Sequence, residues 1–133
     1  MGASVSWAFA NRAAALRVTA GDADSCRIEN RAPGGEANVY LAMAASLAGG
    51  LFGIESGLNA PNPSTGGFYE DPDIEMVPMT LSAAIDRFEA SEVANEYLGE
   101  EFVRFFAGTR RWEVKQERAH VTDWEVERYS DAL

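Results

Sequence analysis

The feature that most constrains this chain is a charge-free apolar stretch from Ala37 to Ile54. It is nearly long enough for a membrane-spanning helix, but it is rich in alanine and glycine, whereas spanning helices are richer in Leu, Ile, Val and Phe. The pattern therefore favours a buried helix, predicted from Glu36 to about Leu58. A helix that is apolar on every side must be covered on every side, by its own domain or by partners. Gly49 and Gly50 predict close backbone packing, because glycine inside a helix costs about 1 kcal/mol relative to alanine.

Length and composition are typical of a small globular domain. The 133 residues suffice for one ordinary domain, and 47% are hydrophobic and 24% charged. The net charge of −10 excludes a nucleic-acid binder that neutralises phosphates, since such proteins present a basic surface. The single cysteine, Cys26, excludes an internal disulfide and a cysteine-built zinc site, and it suits a reducing compartment. We therefore expect a soluble, cytoplasmic protein.

Charge is unevenly distributed along the chain. Residues 1–60 carry a net charge of −1 and residues 61–133 a net charge of −9. The bases of the first part are all arginines that lie within the first 31 residues: Arg12, Arg17, Arg27 and Arg31. An arginine-rich patch inside an acidic protein indicates a particular anion or partner.

Residues 13–31 predict a β-hairpin around a turn rich in glycine and aspartate. Strand alternation places Arg27, Glu29 and Arg31 on one face, while Cys26 falls on the apolar face and is expected to pack there. A carboxylate between two guanidiniums can hold a divalent cation while the arginines bind phosphate or carboxylate oxygens. The alternative is a charged solvent face with cross-strand ion pairs.

Arg12 and Arg17 pose a separate geometrical question. They are five residues apart, so on a regular strand their side chains point in opposite directions. Both can serve one site only if a bend or loop intervenes. Otherwise they are ordinary surface arginines.

The rest of the chain predicts a long loop and three helices. Asn59 to Pro78 contains four prolines and a glycine pair, which is typical of a lid, a binding loop or an interface arm. One helix is predicted to begin after Thr80, one after Gly99, and one at Thr122 with Glu125 completing a capping box. An isolated His120 is expected near a helix end. No catalytic triad, phosphate-binding glycine motif or His/Cys metal pattern is present in the sequence.

The most specific pattern lies in two segments, which read NRAAALRV at 11–18 and RIENRAPGGEANVYL at 27–41. These segments closely resemble the C-terminal part of glutamine synthetases. The resemblance continues at GLFGI (50–54), EAS (89–91), LGEEF (98–102) and HVTDWE (120–125). It implies that residues 1–133 are the C-terminal part of a glutamine synthetase-like catalytic domain. The implied fold is α+β, with a β-hairpin from an antiparallel active-site sheet followed by a mainly helical region.

The resemblance also implies a reaction and a role for each matching residue. The family joins ammonia, or in relatives another amine, to the γ-carboxylate of glutamate through a γ-glutamyl phosphate made from ATP. Arg12, Arg17 and Arg27 match arginines that contact ATP, and Arg12 also reaches the glutamate side. Arg31 matches the arginine that holds the reacting carboxylate, and Glu29 matches a ligand of Mg²⁺ or Mn²⁺. Arg12 and Arg31 are thus the implied catalytic residues, and positive charge around a moving phosphate suits phosphoryl transfer.

Some positions depart from the family pattern. Ala10 stands where the family often has an acidic residue, and Val39 replaces a proline. Asp24 or Ser25 occupies the place of a basic residue that can reach ATP. These changes suit divergent relatives that use amines other than ammonia.

The family's enzymes are several times longer than this chain, and a barrel-like sheet carries most of their metal ligands. They form large rings with active sites between subunits, which implies a homo-oligomer. Our first hypothesis is therefore a fragment of such a ligase that is inactive alone. The second is a non-catalytic interaction module that self-associates or docks on a full-length synthetase. The third is an unrelated helical domain with a surface arginine patch.

Overall fold

The computed structural model describes residues 4–65 and 74–130, which contain three short strands and five helices. The strands are β1 (Trp7–Phe9), β2 (Leu16–Thr19) and β3 (Arg27–Asn30). The helices are α1 (Val39–Glu55), α2 (Leu81–Glu89), α3 (Glu92–Leu98), α4 (Glu100–Arg118) and α5 (Asp123–Tyr129). Strands followed by helices confirm the predicted α+β class. Within these ranges, each helix is either too short or too polar to cross a membrane.

The sheet has the order β1-β2-β3, with β1 parallel to β2 and β2 antiparallel to β3. The β2–β3 pair confirms the predicted hairpin, although its strands are shorter than the predicted range. The connection between them turns at Asp22, whose carboxylate accepts hydrogen bonds from the Ser25 amide at 3.0 Å and the Ser25 hydroxyl at 2.6 Å. β1 was not predicted, because three residues are too few to show a strand's alternation.

Alanines form the packed core next to β1. Ala8 on β1 is 1% exposed and Ala14, which precedes β2, is 0% exposed. Ala13 and Ile74 pack against this pair. Because an alanine side chain is a single methyl group, the chain ahead of β2 can approach β1 closely.

Helix α1 begins after Asn38, whose side chain accepts hydrogen bonds from the amides of Tyr40 and Leu41. It is slightly shorter at both ends than predicted. Only Ala48 of this helix is buried. Helix α3 packs against α1 through an edge-to-face contact between the rings of Phe52 and Tyr97, whose centroids lie 6.5 Å apart. The described residues thus leave most of this apolar helix uncovered. A side-chain carbon at either of the glycines at positions 49 and 50 would meet no atom within 4 Å, so the close packing predicted there is absent from the described part.

The C-terminal helices follow their capping signals. The Thr80 side chain caps α2, α4 begins after Gly99, and Thr122 and Glu125 form the predicted capping box of α5. Helix α3, which has seven residues and is capped by Ser91, was not predicted, because two helical turns show little periodicity in a sequence. The helices α2 and α4 pack through aromatic rings and through Arg111 of α4, which pairs with Asp86 and Glu89.

The predicted loop from Asn59 to Pro78 lies partly outside the described residues. Its first described part contacts β1, since the Trp7 indole donates to the Pro61 carbonyl at 2.8 Å and the Ser64 amide donates to the Trp7 carbonyl at 2.9 Å. Its second described part lies beside Val5, whose amide donates to the Glu75 carbonyl at 2.7 Å. A role as lid, binding loop or interface arm stays a prediction.

Candidate active site

A sharp bend separates Arg12 from Arg17. At the end of β1, Ala10 has a left-handed backbone with φ of 51°, and Asn11 then accepts a hydrogen bond from the Ala13 amide at 2.9 Å. The Ala10 amide donates to the Val18 carbonyl at 3.2 Å, which ties the bend to β2. Arg12 therefore lies in a turn rather than on a strand. Residues 12–15 turn and bend before β2 begins, so the intervening bend that the five-residue spacing required is present.

The hairpin register places Arg17 directly opposite Glu29. The Arg17 Nη2 lies 2.7 Å from Glu29 Oε1 and 2.6 Å from Glu29 Oε2. Arg27, two residues before Glu29 on the same strand face, approaches Oε1 at 3.2 Å. Both carboxylate oxygens of Glu29 are thus engaged by guanidinium groups.

These arginines change the acidity of Glu29. The hydrogen bond from Arg17 is the main cause that lowers the pKa of the Glu29 carboxyl below its ordinary value. The positive charges of Arg17 and Arg27 lower this pKa further, while desolvation opposes the change. Glu29 is therefore held as a carboxylate at neutral pH.

Of the two arginines that contact Glu29, Arg17 is more buried than Arg27. Its side chain is 19% exposed, against 56% for Arg27. Its Nε is buried and makes no hydrogen bond within the described residues. The strand therefore holds the Arg17 guanidinium in a fixed position, whereas Arg27 remains accessible to solvent.

Arg31 joins the turn to the end of β3. Its Nε donates to the backbone carbonyl of Arg12 at 3.1 Å, and its amide donates to the Ala15 carbonyl at 2.7 Å. Arg31 follows Glu29 by two residues, so continued alternation directs it to the Glu29 face. Within the described residues, neither Arg31 nor Arg12 forms an ion pair with a carboxylate. The structure thus brings the predicted site residues into two linked groups on one hairpin and its flanking turn.

The donor set does not by itself form a site for a hard divalent cation. Such a cation takes six or more oxygen ligands, and Glu29 is the carboxylate that the arginine group contains. Residues 4–65 and 74–130 contain no group of three His, Cys, Asp or Glu side chains arranged to hold a metal ion. A metal at Glu29 would need oxygen ligands from elsewhere and a rearrangement of the arginine contacts.

Two expectations about individual side chains have clear outcomes. Cys26 was expected to pack on the apolar face of the hairpin, but it is exposed, and Ile28 on the same face is 69% exposed. The expectation for Cys26 was wrong because alternation defines a face but not whether another layer covers it. His120 lies just beyond α4, as expected, where its amide donates to the Glu117 carbonyl.

A cavity of about 710 Å³ lies on the opposite side of the sheet from Arg17 and Glu29. Leu16 and Asn30, which are register partners, line it together with Trp7 and Pro61. Neither Trp7 nor this cavity was predicted from the sequence, because the contact of Trp7 with Pro61 joins residues 54 positions apart. The Trp7 indole was the sequence signal that could have indicated this contact, since a buried tryptophan N–H usually donates a hydrogen bond.

An arginine-bearing β-hairpin followed by a helical region defines an α+β domain, and residues 1–129 match the family model "Glutamine synthetase, catalytic domain". The chain belongs to the glutamine synthetase catalytic-domain family, which confirms the resemblance.

Individual relatives support the same assignment. The chain is 37% identical to a glutamate–isopropylamine ligase of Pseudomonas sp. over 99% of its own length and 29% of that protein. It is 43% identical to a gamma-glutamylethanolamide synthetase of Streptomyces coelicolor over 94% of its length and 27% of that protein. A glutamine synthetase of Methanocaldococcus jannaschii is 38% identical, over 95% of this chain and 29% of that protein.

A solved structure, described as apo GmaS without ligand, has the same fold with a TM-score of 0.78 and 29% sequence identity. The similarity covers 93% of this chain and 29% of that one. The chain therefore spans less than a third of the length of the relatives that it matches.

Proposed function

We propose that this chain supplies the arginine-bearing part of the active site of an ATP-dependent ligase. The ligase would join ammonia or an amine to the γ-carboxylate of glutamate through γ-glutamyl phosphate. The observation that carries the proposal is the hairpin on which Arg17 and Arg27 flank Glu29 while Arg31 is bonded to the turn of Arg12. This arrangement concentrates four guanidinium groups in a chain of net charge −10.

Each arginine has a proposed role that the resemblance to glutamine synthetases implies. Arg12, Arg17 and Arg27 would contact the phosphates of ATP, and Arg12 and Arg31 would act at the reacting carboxylate of glutamate. Guanidinium groups fixed before the reaction stabilise the charge that develops on a transferring phosphoryl group. The enclosed Arg17 suits such a fixed role, and the exposed Arg12 has a guanidinium accessible to a ligand.

The proposed cofactors are ATP and Mg²⁺ or Mn²⁺, and Glu29 is the proposed metal ligand. Since Glu29 alone cannot complete a coordination sphere, the other oxygens would come from the rest of the ligase or from the nucleotide. The chain alone is therefore expected to be inactive.

The amine is the open part of the proposal. Two similar proteins are named for isopropylamine and ethanolamide chemistry, and others are named glutamine synthetases. Ala10 and Val39, which depart from the family pattern, favour an amine other than ammonia. A homo-oligomer and a cytoplasmic location are further parts of the proposal.

A chimera tests this function directly. The matching segment of the Streptomyces coelicolor gamma-glutamylethanolamide synthetase is replaced by this chain, and ATP-dependent γ-glutamylethanolamide formation is measured by mass spectrometry. We expect activity in the chimera and none from the isolated chain. Arg31→Ala in the chimera should lower kcat/KM by a factor on the order of 10²–10³.

Arg128→Ala is the matched control, because Arg128 is an exposed arginine on α5, away from the hairpin. It should leave kcat/KM within about twofold, as expected for a surface substitution. A chimera that folds but makes no amide contradicts the proposed function. Ligation by the isolated chain contradicts its inactivity, and full activity of the Arg31→Ala chimera contradicts the role of Arg31.

The uncovered helix α1 supports a second candidate function, a non-catalytic interaction module. Such a module would self-associate or dock on a full-length synthetase. Sedimentation velocity at increasing concentration separates it from a simple fragment, since a monomer that binds no synthetase contradicts the module.

A further inference from the structure

The side chain of Asn30 closes a small ring around the backbone of Arg31. Its Oδ1 accepts a hydrogen bond from the Ala32 amide at 3.1 Å, so one side chain spans the main chain on both sides of Arg31. A bond from an asparagine side chain to the amide two residues ahead fixes the local direction of the backbone. Asn30 therefore shapes the end of β3 at the point where Arg31 leaves the strand.

The other end of the same side-chain amide reaches helix α1. Asn30 Nδ2 donates to the Ser46 hydroxyl at 3.0 Å, and that hydroxyl donates to the Ala42 carbonyl at 2.8 Å. The orientation of the amide is fixed chemically, because the backbone N–H of Ala32 can only donate and therefore faces the oxygen. The two bonds of this amide, to Ala32 and to Ser46, form the Asn30 clamp.

The bond to Ser46 ties the hairpin to α1. Within residues 4–65 and 74–130, it is the one hydrogen bond that joins these two parts. Two cavities of about 480 and 710 Å³ lie beside it, and Asn30 lines both of them. In this part of the chain β3 is also an edge strand, with β2 on one side only. The end of β3 therefore depends on Asn30 for its support on the face toward α1.

Strand alternation directs Arg31 to the opposite face of the hairpin. Its amide donates to the Ala15 carbonyl at 2.7 Å and its Nε to the Arg12 carbonyl at 3.1 Å. Among the described residues, no acceptor takes a hydrogen bond from Nη1 or Nη2 of Arg31. The guanidinium thus presents its terminal nitrogens in a direction that the backbone at position 31 determines.

We propose that Asn30 is a positioning residue that holds Arg31 in place for the reacting carboxylate of glutamate. It acts through the Asn30 clamp, and the inference rests on the proposed function, in which Arg31 binds that carboxylate. Binding of a carboxylate by a guanidinium depends on direction as well as distance, so a small displacement of residue 31 weakens it. An apolar residue at position 30 keeps the strand alternation but makes neither bond of the clamp. The alternative is that Asn30 only ends the strand.

The first measurement is amide hydrogen exchange by NMR on the full chain. Asn30→Leu keeps a similar side-chain volume and removes both bonds of the clamp, whereas Ser46→Ala removes only the tie to α1. Loss of one such hydrogen bond should make the Arg31 amide exchange about two- to tenfold faster in Ser46→Ala. Asn30→Leu should have a larger effect. Ser46→Thr retains the hydroxyl and should stay within about twofold of the unsubstituted chain.

A matched control separates the local clamp from general destabilisation. Asn95 also uses its side-chain amide, which donates to the Glu89 carbonyl at 3.0 Å and the Ser91 carbonyl at 2.9 Å. Asn95→Leu should lower the melting temperature but leave exchange at the Arg31 amide within about twofold, since α3 lies outside the hairpin. The Val103 amide of α4 is the internal reference, because opening of the whole chain would accelerate it as well.

The second measurement is steady-state kinetics of the ligase chimera. Asn30→Leu should raise KM for glutamate about two- to tenfold and change KM for ATP by less than about twofold, since the clamp surrounds Arg31 rather than Arg17 or Arg27. Ser46→Thr should match the unsubstituted chimera. A fall in kcat with both KM values unchanged is the pattern of lost folded enzyme and contradicts a positioning role.

Two exchange results and one kinetic result would overturn the inference. They are an Arg31 amide that Asn30→Leu leaves unchanged, an acceleration that the Val103 amide shares equally, and an unchanged KM for glutamate in an active Asn30→Leu chimera. Failure of the proposed function gives a different result, in which the unsubstituted chimera makes no amide while Asn30→Leu still accelerates exchange at Arg31 alone.

Discussion

Replacing Ala14 with leucine tests whether the turn that carries Arg12 is held by close packing. Ala14 is fully buried and packs with Ala8, Ala13 and Ile74, so the three added carbons of Ala14→Leu have no free space. Overpacking of this kind costs about 1–3 kcal/mol. For a domain of this size, that corresponds to a fall in melting temperature of about 3–15 °C.

The effect should extend from stability to the site. The turn can make room only by moving away from β1, which would carry the Arg12 carbonyl away from the Arg31 Nε that it accepts from at 3.1 Å. In the chimera, Ala14→Leu should therefore lower ligase activity in addition to its melting temperature. Differential scanning calorimetry and the amide-formation assay, run on the same preparations, measure both effects.

The control is Ala45→Leu, the same substitution at an exposed position of α1. It should change the free energy of unfolding by less than about 0.5 kcal/mol, because exposed positions tolerate added carbons. If Ala14→Leu is as mild as this control, the turn is not closely packed and the reasoning is refuted. If it destabilises strongly but leaves activity intact, the link between packing and the position of Arg31 is wrong.

Two further predictions concern ionisable groups. Because the folded-state pKa of Glu29 is lowered, its carboxylate contributes stability that is present above its ordinary pKa of 4.5 and lost as the pH falls through the folded-state pKa. Glu29→Gln should therefore reduce the pH dependence of urea unfolding between about pH 5 and pH 3, and an unchanged dependence would contradict the Arg17 contact. The hydrogen bond of the Tyr97 hydroxyl to Glu55 raises the pKa of Tyr97 to about 12. Glu55→Gln should lower that pKa. The pKa is measured from phenolate absorbance, and Tyr97→Phe identifies which part of the signal belongs to Tyr97. An unchanged pKa would contradict the hydrogen bond between Tyr97 and Glu55.

Local signals in the sequence predicted the helix starts well. Thr80 and Thr122 cap helices because their side chains bond to amides three residues on, an interaction contained in four consecutive residues. The hairpin was predictable for the same reason, since its turn and alternation are local. The strand β1 and the helix α3 were missed because both are too short to show a period.

The candidate site was only partly predictable. The order of arginines around Glu29 indicated the candidate residues, but not which of them meet. Whether Arg12 could join the others depended on the left-handed backbone of Ala10 and on a bond between residues 12 and 31. Neither is encoded in a local pattern, because alanine rarely adopts positive φ and the bond joins distant positions. The prediction that Cys26 is packed was wrong for a similar reason, since the tertiary structure decides whether another layer covers that face of the hairpin.

The bond between Arg31 and the turn has a consequence for protein engineering. Arg31 donates to the main-chain carbonyl of residue 12 and not to its side chain. Any amino acid at position 12 that accepts the turn's backbone conformation therefore presents the same acceptor. Substitutions at position 12 can thus remove the Arg12 guanidinium without displacing the guanidinium at position 31, so redesign can vary the two groups independently.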